Sequence, residues 1–189
     1  MAKKKDNKKG LLIFGSILTL AALSSKSNKP GTTADTAGSS ANLPLNESML
    51  KSAFQKAKSE FGDTWAKYAE QIYRKETRNF DSGQFKKTYS AGMEQAKGVD
   101  AFPYGWGSLN TFLSIYPQYK GNFYLVAMTE NNTGKTKKFV AFPSLEGAVM
   151  FLAYTLKKRG NPGYWRSYDE SVANAYKASL ANYPIKYAV

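Results

Sequence analysis

The groups available for chemistry in this chain are carboxylates, Lys, Arg, Tyr and aliphatic hydroxyls, because it contains no His and no Cys. That composition excludes Ser–His–Asp triads, Cys–His nucleophiles and zinc sites built on thiolate or imidazole. It also excludes disulfides, so cysteine usage does not mark a compartment. Among the carboxylates, Glu76 has an unusual position. Trp65, Ala69 and Ile72 recur on one face of a helical stretch, and the next step of four along that stripe lands on Glu76. At roughly 100° per residue, Glu76 lies within about 20° of Trp65 around the axis. An acid that ends an apolar stripe is desolvated, and desolvation raises a carboxyl pKa toward the range a general acid for glycoside cleavage requires. The alternative is a helix-end Glu paired with a neighbouring cation such as Arg74 or Arg78. A two-carboxylate glycosidase needs a second acid about 5 Å away if retaining and about 6.5–9.5 Å away if inverting. Asp81, Glu94 and Asp100 are the candidates, although Asp81 in an Asp-Ser-Gly run also reads as a turn residue.

The elements that must position Glu76 are set by periodicity and caps. Asn46 caps a helix with Met49, Leu50, Phe54, Ala57 and Phe61 on one face, stopped at Gly62. Asp63 is expected to cap the next helix, which ends near Glu76. Residues 77–106 read as mostly irregular, with short helical turns. Leu109–Ile115 forms a short helix before Pro117. Residues 122–130 and 137–142 are strand-like and, across NNTGKT, predict a β-hairpin. Ser144 caps a helix with Leu145, Val149, Leu152 and Leu156 inward, basic residues Lys157, Lys158 and Arg159 in its last turn, and Gly160 at its end. A final helix, about 169–182, carries Val172, Tyr176 and Leu180. The fold class is mainly α with a small β-hairpin. No internal repeat is evident.

The net charge is +13. Residues 1–30 hold seven Lys and one Asp, yet residues 46–189 are basic in their own right, which favours an anionic partner. Residues 1–10 contain five Lys, and residues 11–23 (LLIFGSILTLAAL) are uncharged and apolar. The pair reads as a cleaved signal peptide or an uncleaved membrane anchor, with residues 24–189 on the extracytoplasmic side. Residues 24–45 are small and polar and read as a flexible linker spanning on the order of 25 Å. The expected organisation is therefore a leader and apolar helix over 1–23, a linker over 24–45 and a domain over 46–189. The domain is rich in aromatic residues, with Tyr89, Tyr104, Trp106, Tyr164 and Trp165 as candidates for stacking on a polar ring-shaped ligand, a sugar or a base. Trp106 is favoured because Gly105 and Gly107 leave its loop uncrowded.

The run from Glu76 resembles the lysozyme-like superfamily, and in particular the soluble lytic transglycosylase pattern. That pattern has a helix ending in Glu-Ser, an aromatic shortly after, then Ser and Gly residues leading to Gly-x-x-Gln. This chain has Glu76-Thr77, Phe80 and Ser90-Ala91-Gly92-Met93-Glu94-Gln95, with Gln95 nineteen positions after Glu76. It departs in having Thr77 for Ser, a shortened Gly-Ala-x-Gly step, and Met93-Glu94 where Leu-Met is usual. FVAFPSLEGAVMFLAYTL (139–156) is also similar to a segment of glucosaminidase-like wall hydrolases. The resemblance covers roughly residues 60–180. It implies a lysozyme-like fold and cleavage of the bond between N-acetylmuramic acid and N-acetylglucosamine in peptidoglycan, without cofactor or metal. It implies a single acid, Glu76, that protonates the glycosidic oxygen and then takes the proton of the sugar's own 6-hydroxyl, closing a 1,6-anhydro product. Thr77, Ser90, Gln95, Tyr104 and Trp106 are the expected substrate contacts. Partners would be glycan strands, the membrane through residues 1–23, and other envelope or virion proteins if the chain serves a phage particle. The alternatives are a hydrolytic muramidase or glucosaminidase, a non-catalytic wall-binding or virion structural protein, and a nucleic-acid-binding module, for which no recognised motif is present.

Overall fold

The computed structural model describes residues 41–93, 107–129 and 134–189. The leader, the apolar segment and most of the linker lie outside the described residues. Among the described residues, no helix is long and apolar enough to cross a membrane.

Asn46 opens α1 (Glu47–Phe61), its side chain accepting from the Met49 N–H at 2.9 Å. Leu50, Ala53, Phe54, Ala57 and Phe61 face inward. Gly62, at φ +93°, both ends α1 and leads into α2 (Asp63–Glu76), a backbone turn that a side chain would strain. Asp63 is thus the first residue of α2 rather than its cap, and it pairs with Lys58 and Lys67. In the stretch read as irregular, Ser82 caps a short helix, α3 (Gly83–Thr88). α4 (Gly107–Ile115) precedes a 3₁₀ turn at Pro117–Tyr119.

Two antiparallel strands, β1 (Tyr124–Thr129) and β2 (Thr136–Ala141), pair with Tyr124 opposite Ala141 and Thr129 opposite Thr136. The hairpin is tied to the chain after α3, because the Val140 N–H donates to Met93 O and the Phe142 N–H to Thr88 O, each at 2.9 Å. Ser144 then caps α5 (Leu145–Arg159), the central helix, buried on most of its circumference and packed on α1 and α2. A 3₁₀ turn, Pro162–Trp165, leads to α6 (Glu170–Ser179), capped by Asp169, and to a further 3₁₀ turn at Leu180–Asn182.

On α6 the buried positions are Ala173 and Tyr176, followed by Leu180, whereas Val172 is 44% exposed. The expected stripe is corrected by one residue at its start. Gly163 sets the choice, since a Cβ there would come within 2.0 Å of the Ala173 carbonyl oxygen. The preceding turn and α6 meet backbone to backbone, and only small residues fit between them.

The core is aromatic. Phe54, Tyr73, Phe80, Phe85 and Tyr187 form one set of edge and stacked contacts, and Phe112, Tyr119, Phe142 and Phe151 another. The docked part of the domain reaches back to Leu43, whose N–H donates to Lys86 O at 2.7 Å. The Tyr89 hydroxyl donates to the Pro44 carbonyl. The last residues of the stretch read as linker are therefore part of the folded domain.

Candidate functional site

Glu76 is the last residue of α2 and is half-buried. Two features fix its place. The first is the turn directly after it. Thr77 is fully buried, its hydroxyl donating to Tyr73 O at 2.5 Å and accepting from the Phe80 N–H at 2.9 Å. Arg78, Asn79 and Phe80 then run with φ of 52°, 57° and 69°, three successive non-glycine residues in the left-handed region. Such residues are held there only when their surroundings over-determine them. Here the Phe80 ring is locked among Phe54, Tyr73 and Phe85, with the Arg74 guanidinium 5.2 Å above it. Arg78 is exposed, so Arg78→Gly is expected to stabilise the fold by about 0.5–1 kcal/mol through relief of the left-handed penalty. Urea denaturation measures this, and a lowered midpoint would show that the turn depends on the arginine side chain.

The second feature comes from α6. The Tyr176 hydroxyl donates to Glu76 Oε1 at 2.6 Å. Burial, and then the Glu76 carboxylate beside it, push the Tyr176 phenol far above its ordinary pKa, while Arg166 pulls the other way. The phenol therefore keeps its proton at neutral pH and donates it in a hydrogen bond to Oε1. Lys75 lies 5.3 Å from the Tyr176 ring centre and 5.4 Å from that of Tyr183, so its charge is seated on aromatic faces next to the acid.

The charge pairing proposed for a helix-end Glu goes elsewhere on α2. Arg74 donates from Nε and Nη2 to Glu70 Oε1 at 2.9 and 2.7 Å. Glu70, with no exposed surface, also accepts the backbone N–H groups of Lys186, Tyr187 and Ala188, each at 2.8 Å. Arg78 is exposed, and its charge is felt at Asp81.

Of the expected substrate contacts, Thr77 and Ser90 have no exposed surface. The Ser90 hydroxyl accepts from the Met93 N–H at 2.7 Å. Both hydroxyls are committed to backbone groups. As folded they shape the turn after α2 and the bend before Met93 instead of facing a ligand. Gln95, Tyr104 and Trp106 lie outside the described residues, as do the acids Glu94 and Asp100. Asp81 is exposed and paired with Lys86 at 2.5 Å, which holds its carboxyl below the usual range. Tyr89 is buried. Tyr164 and Trp165 are half-buried on the turn before α6. A groove of about 530 Å³ runs between α2 and α6, lined by residues including Tyr68, Gln71, Asn174 and Lys177, and Glu76 is not among its lining residues. Among the described residues no group of three or more acidic side chains is placed to hold a metal ion.

Sequence reasoning placed Tyr176 in the core stripe of α6 and missed its hydroxyl. The available signal was chemical, since a buried tyrosine needs a partner for its O–H. Tyr176→Phe removes that bond and little else. With Glu76 as the acid expected from the sequence, it lowers kcat on glycan strands about tenfold with KM little changed, because a hydrogen bond to a charged group is worth ~1.5–3 kcal/mol. An equal kcat would show that the phenol only fills space.

Comparison of the chain with protein-family models, with curated proteins and with solved structures finds no significant match to any of them.

Proposed function

We propose that the domain cleaves the glycan strands of peptidoglycan at the bond between N-acetylmuramic acid and N-acetylglucosamine, on a lysozyme-like scaffold, as a lytic transglycosylase. The observation that carries this reading is the half-buried Glu76 at the end of α2 with the Tyr176 phenol donating to one of its oxygens. With Oε1 accepting from Tyr176, Oε2 is the oxygen left to deliver the catalytic proton. Glu76 gives that proton to the glycosidic oxygen as the bond breaks. The resulting carboxylate then removes the proton of the muramyl 6-hydroxyl, whose oxygen closes on C1 to form the 1,6-anhydro ring. One carboxyl group thus serves as acid and then base.

The pairing of Asp81 with Lys86 on the surface favours this one-acid route over hydrolysis with Asp81 as the second carboxylate. The basic charge of residues 46–189 favours adsorption to anionic wall polymers. Residues 1–23 would export the domain or hold it at a membrane, with the domain on the extracytoplasmic side, and a virion-associated enzyme of a phage fits this arrangement. The test is a digest of purified sacculi by the full chain, read by mass spectrometry. Anhydro-muramyl ends are expected. Reducing muramyl ends would assign a muramidase, reducing glucosaminyl ends a glucosaminidase. Wall binding with no release would assign a structural role.

A further inference from the structure

The turn between α5 and α6 displays an aromatic surface that the acid at Glu76 does not use. Tyr168 is 70% exposed, although its ring is held on two sides. Tyr164 packs against it with ring centres 5.4 Å apart and a 37° tilt. The Arg159 guanidinium sits 5.4 Å from its centre and 5.9 Å from that of Trp165, and donates from Nη1 to Tyr164 O at 2.8 Å.

The backbone beneath is equally constrained. The Asn161 side chain accepts from the Gly163 N–H at 2.8 Å, the Arg166 N–H donates to Gly163 O at 2.9 Å, and Gly163 lies against the Ala173 backbone. Ala173 and Tyr176 share the buried face of α6, three residues and so about 4.5 Å of helix rise apart. The anchored turn is therefore one helical turn from the phenol that holds Glu76. Arg166, exposed on the same turn, is close enough for its charge to act on that phenol.

We infer that Tyr168, braced by Arg159 and Tyr164, is a stacking platform for a sugar ring of the glycan strand, away from the bond placed at Glu76. The inference rests on the reading of the domain as a glycan-strand enzyme. A rigid, solvent-facing tyrosine offers an apolar ring face and a polar hydroxyl, which match the C–H face and the hydroxyl rim of a pyranose. The brace also limits the ordering cost of binding, because the ring is already positioned.

The test uses the full chain carrying E76Q, kept on ice with purified glycan strands stripped of their peptides, with bound protein recovered by sedimentation. Adding Y168A is expected to raise the dissociation constant about fivefold. Y168F, which keeps the ring, should restore most of the affinity, and unchanged circular dichroism would show that both variants fold. Equal binding with and without Y168A overturns the platform, and so does absence of binding by the E76Q chain. Tighter retention on single-stranded DNA than on glycan, with the same dependence on Tyr168, would assign the ring to nucleobases and also overturn it. The catalytic reading fails separately. If the E76Q chain still releases anhydro-disaccharides from the strands at working temperature while Y168A weakens retention, the platform stands and Glu76 loses its role.

Discussion

Glu76→Gln is expected to lower the release of muropeptides from purified sacculi by roughly 10²–10⁴-fold, the usual contribution of a general acid and base. The substitution preserves shape, and its amide oxygen can still accept the Tyr176 hydroxyl, so α2 and α6 keep their contact. Under the proposed mechanism, what is lost is both the acid and the base step. Thermal melting of the variant should match that of the parent. Undiminished release would remove Glu76 from the mechanism, and the search for the acid would then move to Glu94 and Asp100. A fall in activity with a matching loss of stability would instead assign Glu76 to the fold.

The second large effect is on stability. Glu70→Ala is expected to cost about 3–5 kcal/mol, the range for breaking a buried ion pair from one side. The carboxylate lies fully buried and is satisfied by Arg74 and by three consecutive backbone N–H groups. Without it, Arg74 keeps its positions over Phe80 and Tyr187 but has lost its counter-charge, and the three N–H groups lose their acceptor. Chemical denaturation at neutral pH gives the measurement. A midpoint within error of the parent would mean that water replaces the carboxylate without cost. Because Glu70 and Glu76 lie on one helix, this variant also separates the two carboxylates, one holding the fold and the other proposed for chemistry.

Much of the scaffold could be read from local pattern. Asn46 and Ser144 cap their helices where expected, and the hairpin pairs over nearly the expected segments. These features are decided within a few residues, by a side-chain oxygen meeting an N–H three positions on or by strict alternation. The place of Glu76 at the end of its helix was legible for the same reason, since the stripe from Trp65 is a property of one helix. The interactions that define its surroundings are not local. Tyr176 is 100 residues from Glu76, and the N–H groups on Glu70 come from 116 to 118 residues away. Nothing in the spacing of either pair announces the contact. The left-handed run at 78–80 was equally hidden, because Arg, Asn and Phe carry no mark of positive φ and the conformation is imposed by burial of the Phe80 ring. Val172 was misplaced because a four-residue step was preferred to the three-residue step that brings Ala173 against Gly163.

The clasp on Glu70 also has a consequence for how the protein comes into being. Synthesis proceeds from the N-terminus, so α1 and α2 leave the ribosome long before residues 186–188 exist, and contacts of such separation close late. A nascent chain that has not yet reached Tyr176 carries Glu76 without the phenol that orients it, and Glu70 without the amides that satisfy it. Under the reading proposed for Glu76, the wall-cutting acid thus gains its orienting phenol only once translation has passed Tyr176, and the fold that carries it is clasped only after Ala188.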